Sequence, residues 1–183
     1  MDVLKLAELL LPPDEKREMH VSLELLAQGD DAAFYEKNRS IVRNILFLET
    51  LEEFLDFSRE NRLDDECFCA AFLCAKGYGV QVGGYEDDLT PALTEFFRAG
   101  DILRPEISEV ISREKIYTDC DDGDNFKSAL TEINQRLEAC GVRLMVLEDF
   151  VYCGCEYTLL MMKEALAREA ASSWESGQFA LFL

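Results

Sequence analysis

The sequence has few of the residue types on which common catalytic sites depend. Its 183 residues include one tryptophan, four prolines and a single histidine, His20. A catalytic triad or a histidine metal site is therefore restricted to that one imidazole. Neither a phosphate-binding Walker A loop nor a G-x-S-x-G nucleophile elbow occurs. Carboxylate or cysteine chemistry needs no histidine, so the sequence favours a binding protein but leaves enzymes of that kind open.

Long uncharged apolar runs are also missing. No stretch of about 18 such residues occurs, so the sequence predicts no membrane-spanning helix. The first residues, MDVLKLAELLLPPDEK, lack the basic region and the small-residue cleavage site of a signal peptide. They predict a short amphipathic helix that ends at Pro12-Pro13. We therefore expect a cytoplasmic protein.

Positive charge is scarce along the whole chain. The 37 acidic residues outnumber 18 basic ones, which gives a net charge of −19. Such a surface repels nucleic-acid phosphates and anionic lipids, so neither is an expected partner. A basic protein is the favoured partner, because opposite charge accelerates association. The alternative is that the acidity serves solubility alone.

The seven cysteines are odd in number, and several lie inside apolar helix or strand patterns. This distribution predicts reduced thiols that pack as small hydrophobic side chains. Two C-x-C pairs occur, Cys67 with Cys69 and Cys153 with Cys155. Zinc ligands are usually spaced further apart, and the first pair would point to different faces of a helix. Structural thiols are therefore favoured over a four-cysteine zinc site.

The stretch from 115 to 174 predicts a strand–helix–strand–strand–helix unit. The apolar positions of its first helix share one face: Phe126, Leu130, Ile133, Leu137 and Cys140. Gly141 is expected to end that helix in a left-handed conformation. The runs 142–147 and 157–162 are apolar on both alternating sets, which is typical of strands covered on both faces. Residues 163–174 predict a closing helix.

The N-terminal third predicts helices only. Their expected ranges are 2–10, 14–28, 30–37 and a long helix at 40–60. A helix at 65–76, capped by Asp64, is apolar all round its middle and is expected to be buried.

Three further elements are expected beyond the buried helix. Thr90 is expected to cap the next helix, with Pro91 at its first position, and a helical turn should come after it around residues 107–111. Residues 80–82 predict a short strand, and the apolar segment 178–183 predicts an edge strand.

The predicted fold class is therefore α+β. A helix-rich N-terminal half packs on a small mixed sheet built from the 115–174 unit. The chain length suits one domain, 1–183, with a helical part at 1–61 and an α+β part at 62–183.

An acidic loop precedes the central helix and is the candidate metal site. Its carboxylates are Asp119, Asp121, Asp122 and Asp124, oxygen ligands that suit Mg²⁺ or Ca²⁺. The EF-hand pattern fails, because aligning Gly123 with its loop glycine leaves Ala129 in place of the bidentate glutamate. Phosphatase chemistry with Asp119 as nucleophile and Asp121 as acid lacks a full preceding strand. The alternative is a solvated turn that caps the helix and holds no cofactor.

A second acidic segment, Glu86, Asp87 and Asp88, is the candidate partner-binding site. It comes after glycines that do not form a dinucleotide fingerprint, because they are preceded by a helix rather than a strand. In size and charge the chain resembles small acidic α+β bacterial proteins, among them immunity proteins that neutralise basic toxins. That resemblance implies protein–protein binding, in an immunity-like or regulatory role. The alternative is a divalent-metal-dependent enzyme that acts on a phosphoryl substrate through the Asp119–Asp124 loop.

Overall fold

A computed structural model describes residues 1–44, 46, 48–61, 63–82, 89–100, 105–113, 116, 126–149, 157–176 and 179–182. The helices in these ranges are α1 (Val3–Leu10), α2 (Pro13–Gln28), α3 (Asp31–Lys37), α4 (Arg39–Asn44), α5 (Leu51–Asn61), α6 (Asp65–Ala75), α7 (Thr90–Ala99), α8 (Pro105–Arg113), α9 (Phe126–Leu137) and α10 (Glu164–Ser173). The strands are β1 (Gly79–Val82), β2 (Val142–Asp149), β3 (Tyr157–Lys163) and β4 (Phe179–Phe182). The α+β class and the helix-rich N-terminal half are confirmed.

The four described strands form one sheet in the order β1-β3-β2-β4, and each neighbouring pair is antiparallel. The expectation of a mixed sheet was therefore wrong for this part of the chain. A strand at the start of the 115–174 unit could have supplied a parallel neighbour, with α9 as the crossover. The first strand predicted for that unit lies outside the described residues except for Ile116, which is not in a described strand and whose carbonyl oxygen accepts a hydrogen bond from the Leu89 amide.

Both faces of the sheet are covered by helices, as the doubly apolar strands predicted. Side chains of β2 and β3 alternate between two buried clusters, because successive residues of a strand point to opposite faces. Those facing the first cluster are Met145, Leu147, Leu160 and Met162. Those facing the second cluster are Leu144, Val146 and Leu159.

The first cluster is covered by α1 to α6 and α10. Helix α6 is buried continuously from Cys67 to Leu73, and Asp64 caps it by accepting from the Cys67 amide at 2.9 Å. Phe34 of α3 stacks on Phe54 of α5 at 5.6 Å and meets Phe68 of α6 edge-on at 5.1 Å. These aromatic contacts join three helices that are far apart in the sequence. Helix α6 lies between the other two helices and the sheet.

The long helix expected at 40–60 is instead two helices, α4 and α5. A capping box starts the second one. The Glu53 carboxylate accepts from the Thr50 amide at 2.9 Å, while the Glu53 amide donates to the Thr50 hydroxyl at 3.2 Å. The Glu53 carboxylate also accepts from the Glu49 amide at 2.8 Å. Because these amides bond to a side chain, they do not continue an α4 ladder, and the chain changes direction there.

The second cluster is covered by α7, α8 and α9. Helix α7 starts one residue earlier than expected, with Leu89 as its N-cap and Thr90 already helical. Leu89 is buried and its amide bonds to Ile116, which places the helix entry at that residue rather than at Thr90. The turn expected around residues 107–111 is a full helix, α8, whose Ile107, Val110 and Ile111 are buried.

Helix α9 has the predicted phase, since Leu130, Ile133 and Leu137 are buried. Gly141 takes the expected left-handed conformation with φ of 68°. Cys140, however, is exposed rather than part of the apolar face. A tighter 3₁₀ turn over Glu138–Cys140 comes after α9, and its different period rotates the thiol outwards.

Asn134 joins α9 to the edge of β2. Its amide nitrogen donates to the Leu144 carbonyl at 2.9 Å, and its amide oxygen accepts from the Leu144 N–H at 2.8 Å. Strand β4 pairs only with residues 146–149 of β2, so it does not reach Leu144. The buried Asn134 side chain therefore takes the place of a neighbouring strand for one residue.

Candidate functional site

Both sites that the sequence suggested lie outside the described residues. This holds for the metal-loop candidates Asp119, Asp121, Asp122 and Asp124, and for the partner-binding candidates Glu86, Asp87 and Asp88. Each set stays a prediction. Within the part of the chain that the structure describes, no group of three or more histidine, cysteine or acidic side chains is arranged to hold a metal ion.

The described cysteines are free thiols with unlike surroundings. Cys67 and Cys69 are buried in α6, Cys74 is half-buried and Cys140 is exposed, while Cys153 and Cys155 lie outside the described residues. Burial raises the pKa of the Cys69 thiol far above its ordinary value, and Asp65, Glu66, Glu8 and Asp2 raise that pKa further. Cys69 is therefore a protonated core side chain and a poor nucleophile.

His20 lies on the exposed side of α2 and contacts the Glu8 carboxylate of α1. The imidazole is about half exposed, and its ion-pair partner among the described residues is a single carboxylate. His20 is therefore a surface residue. It provides neither the nucleophile nor the second metal ligand that histidine chemistry would require.

The described arginines are neutralised by carboxylates of the same chain. All nine arginines whose side chains are described form ion pairs with carboxylates. Two examples are Arg113, which binds Glu132 at 2.9 Å, and Arg143, which binds Glu164 at 3.3 Å. The exposed members of this set add little stability. They leave other carboxylates of the described residues without an arginine partner there.

Several carboxylates meet at one corner of the first helical layer. Asp2 caps α1, Asp64 caps α6, and Asp65 and Glu66 form the first turn of α6. The segment after α10 joins them, because the Glu175 amide donates to the Met1 carbonyl at 2.6 Å. We call Asp2, Asp64, Asp65, Glu66 and Glu175 the acidic corner. Within the described residues, no ion pair is found for Asp2, Asp65, Glu66 or Glu175.

Capping explains why acidic residues collect at this corner. The side chain of Asp2 accepts from the Lys5 amide at 2.7 Å, just as Asp64 accepts from the Cys67 amide. Helices α1 and α6 pack together with these two capped ends close enough for Asp2 to act electrostatically on Glu66. Each carboxylate suits its own helix dipole, but the two negatively charged ends repel each other.

Glu66 shows the effect of this repulsion most directly. Burial raises the pKa of its carboxyl group above the usual range, and the charges of Asp2 and Asp64 raise that pKa further. Hydrogen bonds from the Ser176 hydroxyl and the Val3 amide act against this shift by stabilising the charged form. The corner is therefore a region of concentrated negative charge that lacks a cationic neighbour from the described arginines.

A half-open groove of about 380 Å³ lies between α8 and α9, on the other side of the sheet. Its lining consists of Glu106, Ile107, Gln135, Arg136, Ala139 and Cys140. Arg136 already pairs with Glu132, and the groove lining contains no histidine that could act as a base towards the Cys140 thiol. We assign it no catalytic role, because an activated cysteine needs such a partner.

The sequence contained each residue of the acidic corner but no pattern that joined them. The N-cap role of Asp64 was predicted, and Asp2 also lies directly before an apolar helix. Their proximity depends on how α1 packs against α6, and Glu175 joins them only through the path of the chain after α10.

No protein-family model, curated protein or solved structure matches this chain. No helix in the described ranges is both long enough and apolar enough to cross a lipid bilayer.

Proposed function

We propose that the protein acts by binding a basic protein partner in the cytoplasm, with the acidic corner as the main contact surface. The observation that supports this is the distribution of charge. Nine described arginines are neutralised by carboxylates of the same chain, whereas four of the five acidic-corner residues have no ion pair among the described residues. An incoming lysine or arginine would meet Asp2, Asp65, Glu66 and Glu175, for which no ion pair is found within the described residues.

The electrostatics of Glu66 favour a cationic partner in particular. Burial raises the pKa of its carboxyl group, and the charges of Asp2 and Asp64 raise that pKa further, so ionisation is unfavourable at this position. A cation docked at the acidic corner would relieve that repulsion, so the free energy of binding includes a contribution from the relaxed carboxylates. Complementary charge also steers the encounter, and binding should weaken as salt increases. An immunity-like or regulatory role is the kind of activity that such a surface serves.

Two variants with the same net charge separate a specific surface from general acidity. The corner variant carries Asp2→Asn, Asp64→Asn, Asp65→Asn and Glu175→Gln. The control variant carries Glu24→Gln, Glu52→Gln, Glu106→Gln and Glu138→Gln, which are exposed positions on four other parts of the fold. Each variant loses four negative charges from the net −19. Asparagine caps helices about as well as aspartate, so the corner variant should keep both caps.

The first readout is binding of a fluorescent octalysine peptide, measured by anisotropy at low and at physiological salt. We expect the corner variant to lose most of the affinity and the control variant to keep most of it. The same comparison applied to affinity capture from cell extract should then reveal a protein that the wild type and the control variant retain and the corner variant releases. Equal peptide binding by both variants would contradict the proposal, because only general acidity would then be at work.

A further inference from the structure

We propose that Glu66 is a charge-sensitive latch that fastens the start of α1 and the segment leading to β4 onto α6, and that ionisation of Glu66 loosens it. This inference goes beyond the proposed function, because the latch operates within one chain and needs no partner. It rests on the position of one carboxylate at the junction of three chain segments.

The contacts of Glu66 define the latch. The carboxylate belongs to the first turn of α6 and accepts a hydrogen bond from the Ser176 hydroxyl, which lies shortly before β4. The Val3 amide at the start of α1 acts on the same carboxyl group and stabilises its charged form. Two backbone hydrogen bonds connect the same two outer segments, from the Met1 amine to the Ser173 carbonyl and from the Glu175 amide to the Met1 carbonyl. Glu66 is thus a polar side chain of α6 that interacts with both outer segments.

The latch matters for the sheet because Ser176 lies shortly before the edge strand β4. That strand begins at Phe179 and pairs with residues 146–149 of β2. A segment that is held at Ser176 reaches the sheet in a fixed position, which lowers the entropy cost of pairing a four-residue strand. Release of Ser176 would therefore weaken the pairing of β4 with β2 first.

The charges around Glu66 determine when the latch is tight. The charges of Asp2 and Asp64 act on the Glu66 carboxyl group. The other charged and titratable groups of the three segments are the Met1 amine, Lys5, Asp65, Cys69 and Glu175. Carboxylates predominate in this set. Ionised Glu66 is therefore held close to like charges by its hydrogen bonds, whereas protonated Glu66 keeps an acceptor oxygen for them without the repulsion.

The direction of the pH dependence is set by the pKa. Burial and the neighbouring carboxylates raise the pKa of Glu66 in the folded protein above its value in the unfolded chain. The stabilisation from protonated Glu66 is fully present below the unfolded pKa and is lost as pH rises through the folded pKa. The latch should therefore tighten on acidification from neutral pH, opposite to the usual weakening of carboxylate contacts in acid.

Hydrogen exchange of the full chain, corrected for the intrinsic effect of pH, tests this latch. The variant is Glu66→Gln, which keeps an acceptor oxygen but cannot ionise, and the control is Glu169→Gln, an exposed position on α10 with the same change in charge. The readout is the protection of amides in residues 3–7 and 174–182, relative to amides of β3. A thermal melt of each variant confirms that it is folded.

In the wild type and in the control, protection of both segments should increase severalfold as pH falls from about 7.5 towards the carboxylate range. In Glu66→Gln, protection at neutral pH should already match the acidic wild type and should change little with pH. Wild-type protection that is independent of pH would overturn the proposal, as would Glu66→Gln exchange as fast as in the wild type at neutral pH. The octalysine-binding variants leave Glu66 unchanged, so either proposal can fail without the other.

Discussion

The two faces of the sheet are covered by helical layers of different character. On the first face, α6 is buried along most of its length, and Phe34 of α3 meets Phe68 of α6 edge-on while it stacks on Phe54 of α5. On the second face, α7, α8 and α9 form a single amphipathic layer. Its outer side carries exposed ion pairs such as Arg113 with Glu132 and Arg136 with Glu132. The first layer is therefore two helices deep, whereas the second is one helix deep.

The charged side chains of the two layers have different surroundings. In the deeper layer, the ends of two packed helices bring their capping carboxylates together, which produces the acidic corner. In the thinner layer, charged side chains reach water and form ordinary surface pairs. Its buried polar residue, Asn134, has a structural role at the edge of β2. In this protein the concentrated negative charge lies in the deeper layer, where the capped ends of α1 and α6 pack together.

The largest effect should come from the aromatic core of the deeper layer. Phe68 is fully buried and contacts the rings of Phe34 and Phe72 at 5.1 and 5.7 Å. We expect Phe68→Ala to lower the free energy of unfolding by about 3–5 kcal/mol, as measured by urea denaturation. Phe97→Ala in the thinner layer, with the Phe96 ring at 5.8 Å, should cost less. A larger loss of unfolding free energy in Phe97→Ala than in Phe68→Ala would contradict this ranking of the two layers.

The thinner layer should still show a strongly one-sided helix. Leu130→Ala and Ile133→Ala remove buried side chains from α9 and should each cost about 2–5 kcal/mol. Glu132→Ala removes a partly exposed carboxylate that pairs with Arg113, and such a change should cost about 1 kcal/mol or less. Denaturation curves of the three variants measure this contrast. Equal losses would mean that the packing of α9 on the sheet is not the source of its stability.

Asn134 provides a test of the polar bridge to β2. Asn134→Ala leaves the buried N–H and C=O groups of Leu144 without their partners and should cost roughly 1–3 kcal/mol. Hydrogen exchange should locate the damage at Leu144 and its neighbours in β2. Gln135→Ala, an exposed neighbour on the same helix, is the matched control and should be close to neutral. Undiminished protection of Leu144 in Asn134→Ala would show that another group supports that edge.

A smaller effect is expected at the capping box that separates α4 from α5. Thr50→Ala removes a cap and should cost about 1 kcal/mol. Hydrogen bonds from the Thr50 and Glu49 amides lower the pKa of the Glu53 carboxyl group despite partial desolvation. Its stabilisation is therefore present above the unfolded pKa and lost as pH falls through the folded pKa, the reverse of Glu66. Thermal melts across the acidic range should show a shallower loss of stability for Glu53→Gln than for the wild type.

The smallest effect is expected at the acidic loop before α9, where the binding and enzyme hypotheses differ. If Asp119 and Asp121 belong to a solvated turn, changing both to asparagine relieves like charge and leaves stability equal or slightly higher. Neither protein should then gain thermal stability from low-millimolar Mg²⁺ or Ca²⁺. A metal-dependent rise in the wild-type melting temperature that the double variant loses would favour the metal-dependent enzyme instead.

The local sequence determined most of the secondary structure. Periodic apolar residues predicted α9 and its buried face, and Gly141 predicted the end of the helical region. The doubly apolar runs predicted that β2 and β3 would be covered on both faces. These features depend on side-chain spacing and on the backbone preferences of single residues, which are properties of short segments. The T-x-x-E pattern at Thr50 also indicates the break between α4 and α5. The apolar positions continue across it at helical spacing, which led to the prediction of one long helix.

Three features were decided by tertiary structure alone: the sheet order, the acidic corner, and the pairing of the Asn134 side chain with Leu144 in place of a neighbouring strand. Each depends on contacts between segments that are distant in the sequence, such as Asn134 with Leu144, or Met1 with Glu175. Repeated side-chain spacing within one segment carries no information about which other segment will pack against it. Asp2 and Asp64 were each readable as helix caps, but their mutual repulsion exists only because α1 packs on α6 with both capped ends together.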